Sequence, residues 1–129
     1  MAKRHRRQRA TADDDSACLP TVVEVMAEYG PFLWDRSPDW TDFGDSVVDP
    51  AELGVSPALI ERLTAWNDEW GRRAVGLGVG GSSGAAAWQR EGLRPAYQLQ
   101  QELDVLEHDI DVVYFHGDDR RPLRERRGP

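Results

Sequence analysis

Two segments of the sequence repeat apolar residues at helical spacing, and they restrict the possible folds more than any other feature. The first begins at Ser56-Pro57, where serine suits a helix N-cap and proline suits the first helical position. Gly71, Arg72 and Arg73 fit its last turn, because cations are favourable at a helix C-terminus. Spacings of four, three and four predict one buried face, formed by Leu59, Leu63, Trp66 and Trp70.

The second helical segment is predicted from about Ala85 to Asp104. Pro95 lies inside it and is expected to kink or restart the helix near Arg94, because proline removes a backbone hydrogen bond. Its apolar face again follows spacings of three and four, through Trp88, Gly92, Ala96, Leu99 and Leu103. Two amphipathic helices in succession predict a helical hairpin with one buried side.

Strand patterns flank the two helices. Residues 21–29 alternate apolar and polar positions, which predicts a half-buried strand, and Gly30-Pro31 is a turn signal. Residues 32–35 are expected to pair with that strand, and residues 110–115, dense in β-branched and aromatic side chains, predict a closing strand. The predicted fold class is therefore α+β. It has a small antiparallel sheet, made of an N-terminal strand or hairpin and a C-terminal strand, packed against the two-helix hairpin.

The stretch GLGVGGSSG, residues 76–84, raises the question of a phosphate-binding loop, because Gly76, Gly78 and Gly81 satisfy the pattern G-x-G-x-x-G. A dinucleotide site needs a strand leading into the glycines, whereas here a helical segment precedes them. A Walker-type loop needs a lysine, and the only lysine of the chain is Lys3. We therefore interpret the stretch as a flexible linker and expect no cofactor.

No group of residues in the sequence indicates a catalytic or metal site. Cys18 is the only cysteine and is interpreted as inert, because no base stands beside it. His108 and His116 would be roughly 26 Å apart on an extended strand, too far to share an ion. His116 with Asp118 and Asp119 is interpreted as a solvated group near the chain end. We expect a protein that is not an enzyme, with a small enzyme of unknown type as an alternative.

Charge is distributed unevenly along the chain. Residues 1–10 carry five basic residues and no acidic ones. Residues 11–119 carry 22 acidic residues against six arginines, a net charge of −16. Residues 120–129 carry five arginines and one acidic residue. An acidic central part therefore lies between two basic ends, and it would attract basic partners.

Both ends lack apolar residues at any regular period, so we predict that they are disordered. This divides the chain into a basic arm with an acidic linker (1–19), one α+β domain (20–117) and a basic tail (118–129). Arginine-rich ends can bind nucleic-acid phosphates, although the acidic domain would repel them. The residues for that alternative role are Arg4, Arg6, Arg7, Arg9, Arg120, Arg121, Arg124, Arg126 and Arg127.

The sequence carries no signal for a membrane location. Its apolar runs, such as residues 112–115, are far shorter than a bilayer span. The basic N-terminus is followed by polar and acidic residues instead of the apolar segment of a secretory signal. A single cysteine suits a reducing compartment. We therefore expect a cytoplasmic protein that does not bind membranes.

Tryptophan is unusually frequent, with five residues in 129. Trp66, Trp70 and Trp88 lie on the helical faces and are expected to fill the core. Trp40 lies in the acidic stretch DWTDFGD and is either an exposed contact for a partner or a lid on the core. Exposed aromatic residues are typical of protein-binding surfaces. The predicted surface comprises Trp34, Asp35, Asp39, Trp40, Asp42, Phe43 and Asp45.

Short motifs recur at intervals through the central part of the chain. They are Tyr29-Gly30, Leu33-Trp34-Asp35, Asp49-Pro50 with Leu53, Ser56-Pro57 through Leu63 and Trp66, Glu91-Gly92, Glu102-Leu103 and Val113-Tyr114. Their order is similar to that in a group of small bacterial proteins of no known activity. The resemblance covers about residues 22–115, and Pro95 departs from it. In that group the segment between the helices is polar, which supports a linker, and the resemblance implies no catalytic residue.

The function favoured by these features is that of a non-enzymatic protein-binding module, of the inhibitor or immunity type, for a basic partner protein. The net charge of −16 over residues 11–119 and the loop around Trp40 carry this hypothesis. An accessory role on nucleic acid, through the arginine-rich ends, remains as an alternative.

Overall fold

The computed structural model of the chain describes residues 19–38, 46–74 and 81–126, with only the backbone for residues 81–83. Within these ranges the strands are β1 (Val22–Val25), β2 (Leu33–Asp35) and β3 (Asp111–Tyr114). The helices are α1 (Pro57–Ala74) and α2 (Gly81–Val105), with short 3-10 helices at Pro50–Leu53 and Leu123–Glu125. The α+β class predicted from the sequence is confirmed.

The sheet has β1 in the middle, with β2 on one side and β3 on the other. The strands β1 and β2 form the predicted antiparallel hairpin, in which Val23 lies opposite Asp35. The strand β3 runs parallel to β1, with Val23 opposite Val112, so the sheet is mixed instead of purely antiparallel as predicted. A parallel pair requires a long crossover connection, and the two helices between the hairpin and β3 provide it.

Helix α1 begins where its sequence signals predict. Pro57 is its first residue, and Ser56 Oγ accepts a hydrogen bond from the Leu59 N–H at 3.3 Å, which caps the first turn. The Ser56 N–H and hydroxyl also donate to the carboxylate of Glu102 on α2, at 2.8 and 2.7 Å. The cap therefore ties the start of α1 to the end of α2, as an antiparallel hairpin requires.

Helix α2 is longer than predicted, because it begins at Gly81 instead of Ala85. The last part of the glycine-serine stretch thus belongs to the helix, since low helix propensity is a weak preference that context overrides. The helix continues through Pro95 to Val105 without restarting at Arg94. The rest of the predicted linker, residues 76–80, lies outside the described residues.

The core lies between the sheet and the two helices, and both predicted helical faces contribute to it. The helices supply Leu59, Leu63, Trp66, Trp88, Ala96, Leu99 and Leu103. The sheet supplies Val23, Val25, Val112 and Tyr114. Trp66 and Trp88 therefore fill the core as predicted, and Trp70 packs against it partly buried.

The segment after β3 packs on the domain as far as Arg126, which differs from the disordered tail predicted over residues 118–129. Leu123 is buried in a 3-10 helix that contacts β3 and α2. The Arg124 guanidinium pairs with three aspartates, at 3.0, 3.2 and 3.4 Å, namely Asp104, Asp109 and Asp111. These contacts offset the entropy lost on ordering. A single leucine and a single ion-pair cluster have no periodicity, so the sequence pattern did not reveal them.

Candidate protein-binding surfaces

Trp34 and Asp35 are the two residues of the predicted binding surface that the structure describes. The Trp34 ring is partly exposed, its Nε1–H donates to the Met26 backbone oxygen at 3.0 Å, and the Arg36 guanidinium lies over it. The Asp35 carboxylate is buried and accepts hydrogen bonds from the N–H and hydroxyl of Ser37, at 2.9 and 2.6 Å. Trp34 therefore presents part of its ring to solvent, whereas Asp35 fixes the turn after β2.

Both ends of the predicted loop are held by backbone hydrogen bonds. The Asp35 N–H donates to the Ser46 oxygen at 2.6 Å, and the Val48 N–H donates to the Leu33 oxygen at 2.9 Å. Residues 46–48 therefore run along the outer side of β2 and give the loop a fixed base. The other predicted surface residues lie outside the described part of the chain, namely Asp39, Trp40, Asp42, Phe43 and Asp45.

The C-terminal arginines considered for nucleic-acid binding mostly pair with the chain's own acidic residues. Besides Arg124, whose three aspartates are given above, Arg121 and Arg126 both pair with Asp119, at 2.7 and 3.3 Å. The Arg120 guanidinium lies over the Phe115 ring, 4.6 Å from the ring centroid. Much of the positive charge in this segment is therefore neutralised locally. The other candidates lie outside the described residues, namely Arg4, Arg6, Arg7, Arg9 and Arg127.

The end of α2 exposes two adjacent apolar side chains that do not belong to the predicted binding surface. Val105 is 82% exposed and Leu106 is 41% exposed. Val105 follows Leu103, the last residue of the buried α2 face, by two positions, which places it on the other side of the helix. That offset from the apolar face is the sequence signal that could have identified this surface.

An open groove of about 410 Å³ lies beside this pair, between the end of α2 and the turn before α1. Gly54 forms part of its wall, with a φ of +86° that favours glycine, and a Cβ there would lie 3.3 Å from Leu106 Cδ1. Glu107 has a φ of 64° and turns the chain, after which His108 Nε2 lies 2.9 Å from the Leu53 oxygen. Two tight turns that pack together therefore fix the shape of the groove.

His116 packs among aromatic rings, which corrects the interpretation that it is a solvated residue. Its Nε2 accepts a hydrogen bond from the Ala27 N–H at 3.1 Å. Four ring centroids lie between 4.8 and 5.7 Å from that of His116, those of Trp66, Trp88, Tyr114 and Phe115. Burial, helped by the Arg120 guanidinium, lowers the pKa of His116 to about 4. This histidine is therefore a neutral hydrogen-bond acceptor that joins the chain just after β3 to the chain just after β1.

Acidification is expected to destabilise the fold through His116. Its pKa is about 4 when folded and about 6.5 when unfolded, so the unfolded state takes up the proton first as the pH falls below 6.5. The free energy of unfolding should fall by about 1 kcal/mol between pH 7 and pH 5.5 from this residue alone. Urea unfolding at the two pH values measures the loss.

A His116→Gln variant isolates that contribution, because glutamine can accept the Ala27 hydrogen bond but does not titrate. The variant should lose less stability than the natural chain between pH 7 and pH 5.5, whatever its stability at pH 7. Equal losses in the two proteins would show that His116 does not carry the effect.

The described residues contain neither a metal-binding cluster nor a membrane-spanning helix. No group of three or more His, Cys, Asp or Glu side chains in the described ranges could hold a metal ion. None of the described helices is long and apolar enough to cross a bilayer.

Comparison with known proteins adds one family relationship. The model of the family described as Serratia CdiI immunity protein-like matches residues 21–117. No curated protein and no solved structure matches the chain. The matched range includes the hairpin, both helices and β3, and it ends before the segment that carries Leu123 and Arg124. Because this range covers most of the chain, the protein belongs to the Serratia CdiI immunity protein-like family.

Proposed function

We propose that this protein is a non-enzymatic immunity protein that neutralises a toxin by binding it, and that the bound surface of the toxin is basic. The match of residues 21–117 to an immunity protein-like family carries the first part. The net charge of −16 over residues 11–119 supports the second. A strongly acidic surface speeds association with a basic partner and opposes association with acidic ones.

The proposed contact surface is the loop that follows β2. Trp34 offers a partly exposed ring beside its base, and aromatic side chains of this kind often dominate binding energy. The hydrogen bonds of Asp35 and Val48 fix both ends of the loop, which lowers the entropy lost when a partner binds. The proposed contact residues are Trp34, Asp39, Trp40, Asp42, Phe43 and Asp45, with the buried Asp35 holding the turn through Ser37.

Nucleic-acid binding through the arginine-rich ends gains no support from the described residues. Arg121, Arg124 and Arg126 already pair with carboxylates of the same chain. Phosphate binding would have to break those pairs next to an acidic domain, which lowers its free-energy gain.

Co-expression with a candidate toxin, sought among the genes that neighbour the one for this chain, tests the proposal. The full chain should restore growth and co-purify with the toxin. Its association rate should fall about tenfold or more between 50 and 500 mM NaCl, because salt screens attraction between exposed charges. Failure to form a complex would contradict the immunity role. An association rate that does not change with salt concentration would contradict the proposal that the partner is basic.

A pair of charge-neutralising variants locates the contact. The double variant Asp39→Asn with Asp42→Asn should slow association several-fold by removing two negative charges from the loop. The matched control is Glu61→Gln with Asp68→Asn, which removes two exposed charges from α1 and should change the rate by less than about twofold. Equal effects of the two variants would assign the attraction to overall charge and not to the loop.

A further inference from the structure

The apolar pair at the end of α2 has no cover among the described residues. Four large hydrophobic side chains are exposed in the described ranges, and two of them have evident roles. Tyr29 packs its ring against Trp70, and Val47 bridges to Trp34 along β2. Val105 and Leu106 are the two that remain. Adjacent exposed apolar residues rimmed by polar ones are typical of a protein-binding surface.

The groove beside them is already formed in the free protein. Glu102 lies in its wall and is held by both hydrogen bonds from Ser56. Gly54 and Leu106 pack closely where the two turns meet. A partner that enters such a groove loses little free energy to ordering it, because the turns hold their positions before binding.

The charge around the groove selects the kind of partner. Residues 98–111 contain five acidic residues and no lysine or arginine. Glu102 is the acidic residue in the groove wall, and the three aspartates that pair with Arg124 lie outside that wall. Glu107, beside the apolar pair, is exposed and forms no ion pair within the described residues. An apolar side chain flanked by lysine or arginine fits this pattern, whereas a second copy of the chain would bring two acidic rims together.

We propose that Val105, Leu106 and the groove between α2 and the turn before α1 form a docking surface for the toxin, and that they receive an apolar side chain flanked by basic residues. This inference rests on the proposed function and adds a second contact to the loop after β2. The apolar pair supplies desolvated contact area, while the acidic rim supplies attraction and orientation.

Two lysine variants at equivalent positions test the surface with the same toxin as probe. Val105 is the last residue of α2 and Ala74 is the last residue of α1, at the opposite end of the hairpin. Both are exposed, and lysine at a helix C-terminus favours the helix, so Val105→Lys and Ala74→Lys should both fold. We expect Val105→Lys to weaken binding of the toxin about tenfold or more, and Ala74→Lys to change it by less than about twofold. Val105→Ala, which removes apolar area without adding charge, should weaken it by an intermediate factor.

The outcomes separate this inference from the proposed function. If the natural chain binds the toxin and Val105→Lys binds equally well, the docking surface is wrong while the immunity role stands. Equal weakening by Ala74→Lys would also overturn the surface, because added charge alone would then explain the loss. If the natural chain does not bind the toxin, both proposals fail. If the chain sediments as a dimer that Val105→Lys converts to a monomer, the face is a contact between two copies and the inference is overturned.

Discussion

Replacing Gly92 with alanine should lower the free energy of unfolding by about 2–3 kcal/mol. Gly92 lies in the middle of α2, where a Cβ would overlap the Trp66 indole and the Tyr114 hydroxyl. Neither group can move freely. The Trp66 Nε1–H donates to the Trp88 oxygen at 3.0 Å, and the Tyr114 hydroxyl donates to the Gln89 oxygen at 2.6 Å.

The indole of Trp66 is also held by its partner in the core. It stacks on Trp88 with 4.7 Å between the ring centroids and 7° between the planes. The Trp88 Nε1–H donates to the Trp66 oxygen at 2.9 Å, so the two tryptophans bond to each other in both directions. A methyl group at position 92 must therefore displace a stacked pair and not one flexible side chain. Overpacking of this kind costs more than the roughly 1 kcal/mol by which alanine improves a helix interior.

The matched control is Gly71→Ala in α1, which should have the opposite sign. A Cβ at position 71 would meet only the Tyr29 ring, at an ordinary 3.8 Å. The higher helix propensity of alanine should then raise the free energy of unfolding by up to about 1 kcal/mol. Urea unfolding of both variants measures the contrast, and a Gly92→Ala protein as stable as the natural chain would refute the close approach of α2 to Trp66.

The sequence predicts the helices better than the arrangement of the strands, because the spacing of apolar residues within one segment is enough to predict which face of a helix is buried. The apolar residues from Leu59 to Trp70 and from Trp88 to Leu103 both follow the single period of an α-helix, so each buried face can be identified without knowledge of the rest of the fold. The direction of β3 depends on how the chain returns after two helices, so residues 110–115 alone contain no information about it. The start of α2 at Gly81 was missed because low-propensity residues can extend a strong helix.

The candidate surfaces likewise include features that are visible in the sequence and features that depend on the fold. A cluster of aromatic and acidic residues around Trp40 is visible in the sequence, and residues 39–45 lie outside the described part of the chain. Leu106 follows Leu103 by three positions, so in sequence it looks like a continuation of the buried α2 face. Val105 already departs from that face in sequence, and the end of α2 at Val105 shows that Leu106 leaves it too. The sequence predicts Arg124 in a tail, because the three aspartates that pair with it lie more than ten residues away along the chain.

Replacing Gln100 with leucine should lower the free energy of unfolding by about 3 kcal/mol. Gln100 is 4% exposed on α2, and its Oε1 accepts from the Val112 N–H at 2.8 Å. Val112 belongs to β3, and its N–H points away from β1, because the N–H groups of Asp111 and Phe115 donate towards β1 and the N–H direction alternates along a strand. Leucine fills a similar volume but leaves a buried backbone donor without a partner, which is expensive in a low-dielectric core.

Gln101→Leu is the matched control, since residue 101 is the exposed neighbour of Gln100 on the same helix. It should change the free energy of unfolding by less than about 0.5 kcal/mol. If both leucine variants unfold at the same urea concentration, the side chain of Gln100 does not support the outer side of β3.

A double variant extends the prediction to the C-terminal segment. The Ile110 oxygen accepts one hydrogen bond from Gln100 Nε2 at 2.9 Å and another from Arg124 Nη2 at 3.1 Å. Either residue alone can keep this carbonyl paired, so removing both should cost more than the sum of the two single losses. We expect Gln100→Leu with Arg124→Ala to exceed that sum by about 1 kcal/mol, measured by urea unfolding of all four proteins. Strict additivity would mean that the segment after β3 and the helix α2 do not support the same strand. The excess would show that residues beyond the family-matched range stabilise the domain within it.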